Sequence, residues 1–405
     1  MLARAFNSAP GLGFAFGLLA ALAACAPRGV APGPQATGPA SPAQTAPSPA
    51  PLRGGPPVVA LLAPTGAANE KVAGDARAIV NAARAAASDR GAGLIELRVY
   101  DTMGDRARTA AIAREAMDDG AQLILGPLFG ANTPAVAEAV AGRGVPVISF
   151  STDGTVAGGP VYVSGYMPEA EAERILDYAA RQGITTVGVY APQTPYGDAA
   201  LRGAEAAAPP TGTFIAVRRS YPRSFQGIQD TAADFAESAL ASGVQAVLLP
   251  DSGDGLKIVA SFLDFNGLVP SQVRYMGLGQ WETRATLTEP ALRGGWFAGA
   301  DPEAVQAFAR DYAARHGATP PFIAVLGHDA VEVALALAAE ARAQGGDVPA
   351  FTHEALTRPE GFRGALGPFR FEPDGTSRRA LAVLAVGEGG FEVLEPAPPA
   401  FGAGF

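Results

Sequence analysis

Three histidines, one cysteine and a scatter of carboxylates are the residues of this 405-residue chain that could do chemistry. His316, His328 and His353 are dispersed, and none shares with a thiol or carboxylate the spacing a metal site requires. His328 beside Asp329 suggests acid–base work, but adjacent residues on a helix do not face each other, so a helix-start or lobe-packing role is expected. No Gly-x-Gly-x-x-Gly follows the first strand, and no phosphate-loop lysine motif occurs. No catalytic residue, metal or cofactor is therefore assigned, and the chain is read as a non-enzyme. What remains is a set of short polar residues in loops: Thr65 in Ala63-Pro64-Thr65-Gly66, Asn132 within Gly126-Pro127-Leu128-Phe129-Gly130-Ala131-Asn132-Thr133, and Ser151 and Thr152 before Asp153. Hydroxyl and amide groups at helix N-termini, where backbone N–H groups are free, suit the capture of a small polar ligand. The same residues would also serve as caps and turns. Their joint occurrence on one sheet edge is what favours binding.

These loops follow a regular pattern of elements. The run Val58-Val59-Ala60-Leu61-Leu62 precedes a helical stretch over 74–89. Leu97-Arg98-Val99-Tyr100 precedes one over 106–119, and Leu123-Ile124-Leu125 one over 134–141. Val145-Pro146-Val147-Ile148-Ser149-Phe150 ends this series. Continuous apolar strands with intervening helices of this length predict right-handed βαβ crossovers and a doubly wound parallel sheet. The pattern then restarts. Helices are expected over 169–181, 198–207, 228–240 and 255–265, with strands at 187–190, 214–221, 246–249 and 274–277. Two such series predict two α/β lobes rather than one oversized sheet. Ligands in such folds bind beyond the carboxyl ends of the strands, so paired lobes create a cleft there. Tyr196 and Trp281, which follow strands of the second series, complete the expected contact set of Thr65, Asn132, Ser151, Thr152, Tyr196 and Trp281.

Composition limits the alternatives. A net charge of −9, with Lys71 and Lys257 the only lysines, argues against nucleic acid as a partner. At 48% hydrophobic residues the chain can bury one large core or two medium ones. No disulfide can form within it, so packing must supply its stability. Across residues 26 to 56, Pro27, Pro32, Pro34, Pro39, Pro42, Pro47, Pro49 and Pro51 alternate with small residues. Such a segment favours polyproline II and reaches roughly 3 Å per residue, a spacer rather than a fold.

Arg4 and then about 14 uncharged, mostly apolar or small residues have the layout of a signal-peptide core, too short to span a bilayer alone. The run ends in Leu22-Ala23-Ala24-Cys25, which resembles the bacterial lipobox. That resemblance implies a lipoprotein signal peptide over 1–24 and Cys25 as the lipidated first residue of the mature chain, followed by the proline-rich linker over 25–56. The chain beyond Cys25 would then lie in the periplasm, held to a membrane by acyl chains only.

The folded region resembles the type I periplasmic binding proteins of the leucine/isoleucine/valine-binding class. The resemblance rests on Leu62-Ala63-Pro64-Thr65-Gly66, Leu123-Ile124-Leu125-Gly126-Pro127, Gly144-Val145-Pro146-Val147-Ile148-Ser149, Pro195-Tyr196-Gly197, Gly327-His328-Asp329-Ala330 and the stretch 361–375, in order over about 57–394. It implies lobe 1 over 57–167 plus 300–375 and lobe 2 over 168–299 plus 376–394, with a disordered tail at 395–405. Gly126-Pro127-Leu128-Phe129, Ser149-Phe150-Ser151-Thr152-Asp153, Val156-Ala157-Gly158 and Val161-Tyr162-Val163-Ser164-Gly165-Tyr166 look more specifically like the LppC/LpoA-type lipoproteins, the penicillin-binding protein activators. That resemblance implies a non-enzymatic activator whose partner is a peptidoglycan synthase. By analogy with enterobacterial sorting, Ala26 implies the inner face of the outer membrane. The alternative is the substrate-binding component of an ABC transporter for an amino acid or other small polar solute, partnered by a permease. Amino-acid-binding relatives place a carboxylate where this chain reads Leu278-Gly279-Gln280-Trp281, and Glu282 is displaced. Since a buried ammonium without a counter-charge costs several kcal/mol, free amino acids are expected to be poor ligands.

Overall fold

The structure, a computed structural model, describes residues 55–90, 93–346 and 349–401. The apolar leader, Cys25 and the spacer up to residue 54 lie outside the described residues. The first series runs β1 (Val58–Ala63), α1 (Glu70–Arg90), β2 (Glu96–Asp101), α2 (Arg106–Asp118), β3 (Ala121–Leu125), α3 (Thr133–Val140), β4 (Val147–Ser149) and β5 (Val161–Val163). Its five strands form one sheet in the order β2-β1-β3-β4-β5, with every pair parallel. Successive residues of β1 feed opposite layers. Val59 and Leu61 pack with Ile79 and Val331, whereas Ala60 and Leu62 pack with Ala113 and Val136. Burial on both faces is why the strand reads as an unbroken apolar run.

The second series comprises α4 (Pro168–Arg181), β6 (Thr186–Pro192), α5 (Pro195–Thr211), β7 (Phe214–Tyr221), α6 (Phe225–Ala241), β8 (Ala246–Leu248), α7 (Gly253–Phe265), β9 (Arg274–Gly277), α8 (Arg284–Leu287) and β10 (Trp296–Gly299). The chain then returns to the first sheet as α9 (Pro302–His316), α10 (Ala324–Ala343) and α11 (His353–Leu356). Next comes a small antiparallel sheet of β11 (Phe362–Gly364), β12 (Gly367–Phe371) and β13 (Ser377–Arg379). Finally β14 (Ala382–Val386) and β15 (Phe391–Glu395) join the second sheet, whose order is β15-β14-β10-β9-β8-β6-β7. Only β14 runs against the other strands of it, so its pairings with β10 and β15 are the antiparallel ones.

Local sequence explains where the helices begin and end. Thr194 caps α5 by accepting from the Gly197 N–H, with Pro195 in the first turn, and Gly212 ends that helix at φ 76°. Asp301 caps α9 in the same way ahead of Pro302. Two expectations change. The second series does not close at β9, because β10 lies parallel beside it and β14 and β15 extend the sheet. Nor is residue 395 the start of a structureless tail. Glu395 ends β15 and pairs with Arg174 and Arg181, at 2.8 and 2.7 Å. Ala397 packs against the second core and Arg370 stacks over Phe401, at 5.0 Å. A glutamate ahead of Pro-Ala-Pro-Pro reads as polar tail until two arginines from α4 are placed beside it.

Candidate ligand-binding cleft

The carboxyl ends of the parallel strands in both sheets open onto a cavity of about 550 Å³. Phe150 and Thr152 follow β4, Tyr196 follows β6, Ser252 follows β8, and the 3-10 turn Gly279–Trp281 follows β9. Tyr166 and Ala300 enter from two of the segments joining the sheets, and α9 with the loop before α10 supplies Phe308 and Phe322. The volume lies in the range of small-molecule sites, as does the mixture of an apolar wall with a few polar groups. The wall is strongly aromatic. The Tyr166 and Phe322 rings meet at 5.0 Å between centroids, and Phe150 is 2% exposed.

Two carboxyls interrupt that wall. Glu171, in the first turn of α4, is 2% exposed and accepts from the Tyr196 hydroxyl at 2.8 Å. A Cβ on Gly279 would come within 2.6 Å of Glu171 Oε1, so a glycine there lets the 3-10 turn approach the carboxyl. Burial, opposed by bonds from Tyr196 and the Gly279 backbone, pushes Glu171 up to about 7. Glu282 is half-buried, and burial together with the negative charge of Asp301 pushes it up to about 7 as well. Desolvation, then the charge of Glu171 and the hydrogen bond to it, raises the Tyr196 hydroxyl well above its ordinary value. No arginine, lysine or histidine lines the cavity among the described residues.

Of the six expected contact residues, Thr152 and Tyr196 line the cavity, and Thr65, Asn132, Ser151 and Trp281 do not. Trp281 is turned into the second core, fully buried against Gly277, with its Nε1–H donating to Leu249 O at 2.9 Å. Asn132 is buried and donates from Nδ2 to Gly104 O at 3.1 Å. Ser151 Oγ accepts from the Asp153 N–H at 2.9 Å. Thr65 bonds to Asp101, whose carboxylate also accepts from Gly66 and Met103. Burial opposes ionisation of Asp101, and these bonds outweigh it and hold the group below its ordinary value. At those four positions a cap, turn or packing role took the side chain.

The histidines also have structural partners. His353 Nδ1 lies 2.7 Å from the Tyr162 hydroxyl, and His316 packs on Tyr312 at 4.4 Å between centroids. His328 Nδ1 is 3.3 Å from Asp329 Oδ1, so the neighbours do meet, contrary to the helix-face argument. Asp329 is there for Arg379 rather than for proton transfer, with its Oδ2 2.7 Å from Arg379 Nη1. Sequence reading missed Glu171, Phe308 and Phe322. An acidic residue in a helix's first turn reads as a dipole partner, and nothing in the later stretch signalled that it returns to the cleft.

The sequence profile described as periplasmic binding protein matches residues 59–390. The chain belongs to the periplasmic binding protein family. That membership implies a periplasmic location, and among the described residues no helix is long and apolar enough to cross a membrane. No curated protein matches the chain. Among solved structures this periplasmic binding protein is similar to a putative branched-chain amino acid ABC transporter protein from Rhodospirillum rubrum, at 21% identity and TM-score 0.71, covering 84% of this chain and 100% of that one. It is similar to a leucine-binding protein from Thermotoga maritima at 17% identity and TM-score 0.58, covering 85% and 99%. A solute-binding protein from Rhodopseudomonas palustris, bound to 3,4-dihydroxybenzoic acid, matches at 19% identity and TM-score 0.59, covering 86% and 97%. At these identities the likeness establishes the type I α/β fold.

Proposed function

We propose that this periplasmic binding protein is the non-enzymatic, solute-binding component of an ABC transporter. It takes a small amphipathic solute between its two lobes and presents it to a permease. The observation that carries this reading is the cavity of about 550 Å³ at the carboxyl ends of both sheets, walled by aromatic rings and a few polar groups. The similar structures, branched-chain amino acid ABC transporter proteins among them, support the same reading. Thr152 and Tyr196 are proposed as contact residues, and Cys25 as the lipid anchor. A permease partner lies in the inner membrane, so the outer-membrane address inferred from Ala26 is set aside with the activator reading that it accompanied. The peptidoglycan-synthase activator gives the cavity no role and ranks second.

The test is a thermal-melt screen of the intact chain against a panel of small amines, zwitterions and carboxylates, leucine included. At least one solute should raise the melting temperature by several degrees, and Ala309→Trp, which projects an indole from α9 into the cavity, should abolish that rise. Silence across the panel, with a peptidoglycan synthase recovered from detergent-solubilised envelope, would overturn the transporter reading in favour of the activator.

A further inference from the structure

The cleft carries two carboxyls and no basic side chain to match them. Glu171 and Glu282 both line it, and no arginine, lysine or histidine does among the described residues. Asp301 stands close enough to Glu282, and Glu169 to Glu171, to oppose ionisation of each carboxyl. Glu171 already holds the Tyr196 hydroxyl, whereas Glu282 has no hydrogen-bond or ion-pair partner among the described residues. Arg379, stacked 4.5 Å over Tyr166, is charge-paired with Asp329 at 2.7 Å, and although its Nε–H has no acceptor among the described residues the side chain is 5% exposed and does not line the cavity. On the lobe-one side, the amide of Asn132 and the hydroxyl of Ser151 are turned to Gly104 and Asp153, leaving Thr152 as the lining hydroxyl after β4. The rings of Phe150, Tyr166, Tyr196, Phe308 and Phe322 stand in a wall completed by aliphatic side chains such as Val305 and Leu326 and by the uncharged polar groups of Ser252, Gln280, Thr283 and Thr319. Aromatic faces attract a cation through their quadrupole, most strongly where water is excluded. A carboxylate entering the same space would face two carboxyls and find no cationic partner, a costly arrangement for a buried ion.

Resting on the solute-binding reading above, we propose that the cleft selects an organic cation lacking a carboxylate, an amine on an apolar or aromatic body, with Glu282 as its counter-charge inside the aromatic wall. Glu171 then acts as a second, positioned carboxyl, fixed by Tyr196 beside the ammonium site. Selectivity follows from what the cleft withholds, since a zwitterionic amino acid would satisfy Glu282 but strand its own carboxylate.

Three probes with one phenyl body separate the charge classes: 2-phenylethylamine, L-phenylalanine and 3-phenylpropionate, titrated calorimetrically into the intact chain. The amine should bind at least tenfold more tightly than phenylalanine, and phenylpropionate should give no heat at millimolar concentration. Glu282→Gln should weaken the amine at least tenfold, about 1.4 kcal/mol, without lowering the melting temperature of the free protein. Glu171→Gln, which preserves an acceptor for Tyr196, should weaken it less. Tighter binding of phenylalanine or phenylpropionate would overturn the inference and leave the solute-binding reading intact. So would unchanged amine affinity in Glu282→Gln. No binding by any of the three, alongside a positive panel with another charge class, would refute the cation alone. Silence in both experiments refutes the solute-binding reading itself.

Discussion

At the scale of single residues, the two cleft carboxyls make stability depend on pH in a direction that can be worked out. Glu171 and Glu282 hold their protons up to about 7 in the folded state, whereas an ordinary glutamate loses its proton near 4.5. Between those values the folded chain binds more protons than the unfolded one. Stability is therefore fully present below about 4.5 and falls as pH rises through 7. The free protein should melt several degrees higher at pH 5 than at pH 8, and Glu171→Gln should flatten that dependence. Equal melting temperatures at the two pH values would show that neither carboxyl is desolvated as described. Glu395, held low by its bond to Arg181, acts in a separate window, since it loses its contribution only as pH falls below the ordinary glutamate range.

At the scale of elements, the cleft depends on how α4, α5 and the turn after β9 are held. Thr194 places Tyr196 by capping α5, so Thr194→Ala should cost about 1 kcal/mol in denaturant unfolding, with little change in the slope. The turn after β9 is more demanding. A Cβ on Gly277 would overlap the Trp281 indole, which is fully buried and bonded to Leu249 O at 2.9 Å. Gly277→Ala should therefore destabilise by about 1–3 kcal/mol, the usual cost of overpacking a closed core. An unaffected midpoint would mean the indole can relax away from the strand. The same packing explains why Trp281, expected at the ligand, lies behind the turn and leaves Gln280 and Glu282 on its cleft side.

For the whole molecule, the interesting pair is Arg379 with Asp329. Arg379 ends β13 of the small sheet, and it joins Asp329 of α10 at 2.7 Å and the Ser164 carbonyl at 2.8 Å, while Tyr166 and Phe369 flank its guanidinium. It thus ties the segment leaving the first sheet to the segment entering the second. Both side chains are buried, at 5% and 0% exposure, so Arg379→Met would remove the arginine charge facing Asp329 and leave it only His328 and the Ala365 N–H. A loss of about 3–5 kcal/mol is expected. Restoration of stability on adding Asp329→Leu would identify the stranded charge as the cause. Binding should act on the same scale. A solute at 100 times its dissociation constant adds about 2.7 kcal/mol, a shift of several degrees for a chain of this size.

Much of this architecture is legible in the chain itself. Apolar runs such as 58–62 and 123–125, separated by amphipathic stretches of helical length, demand parallel strands covered on both faces, and two such series demand two sheets. Periodicity is a local property, and burial on both faces leaves a local trace. The cleft is different in kind. Glu171, Phe308 and Glu282 come from α4, α9 and the turn after β9, far apart in the chain, and meet only once both sheets and their three connections are in place. Loop chemistry also could not say which short polar side chains face the cleft, because Asn132 and Ser151 found partners at home while Thr152 did not become buried. Sequence alone determined that strand ends would converge on a cleft. Which side chains enter it, and that among the described residues they bring carboxyls without a basic partner, was decided by tertiary packing, because desolvation and orientation belong to the assembled fold.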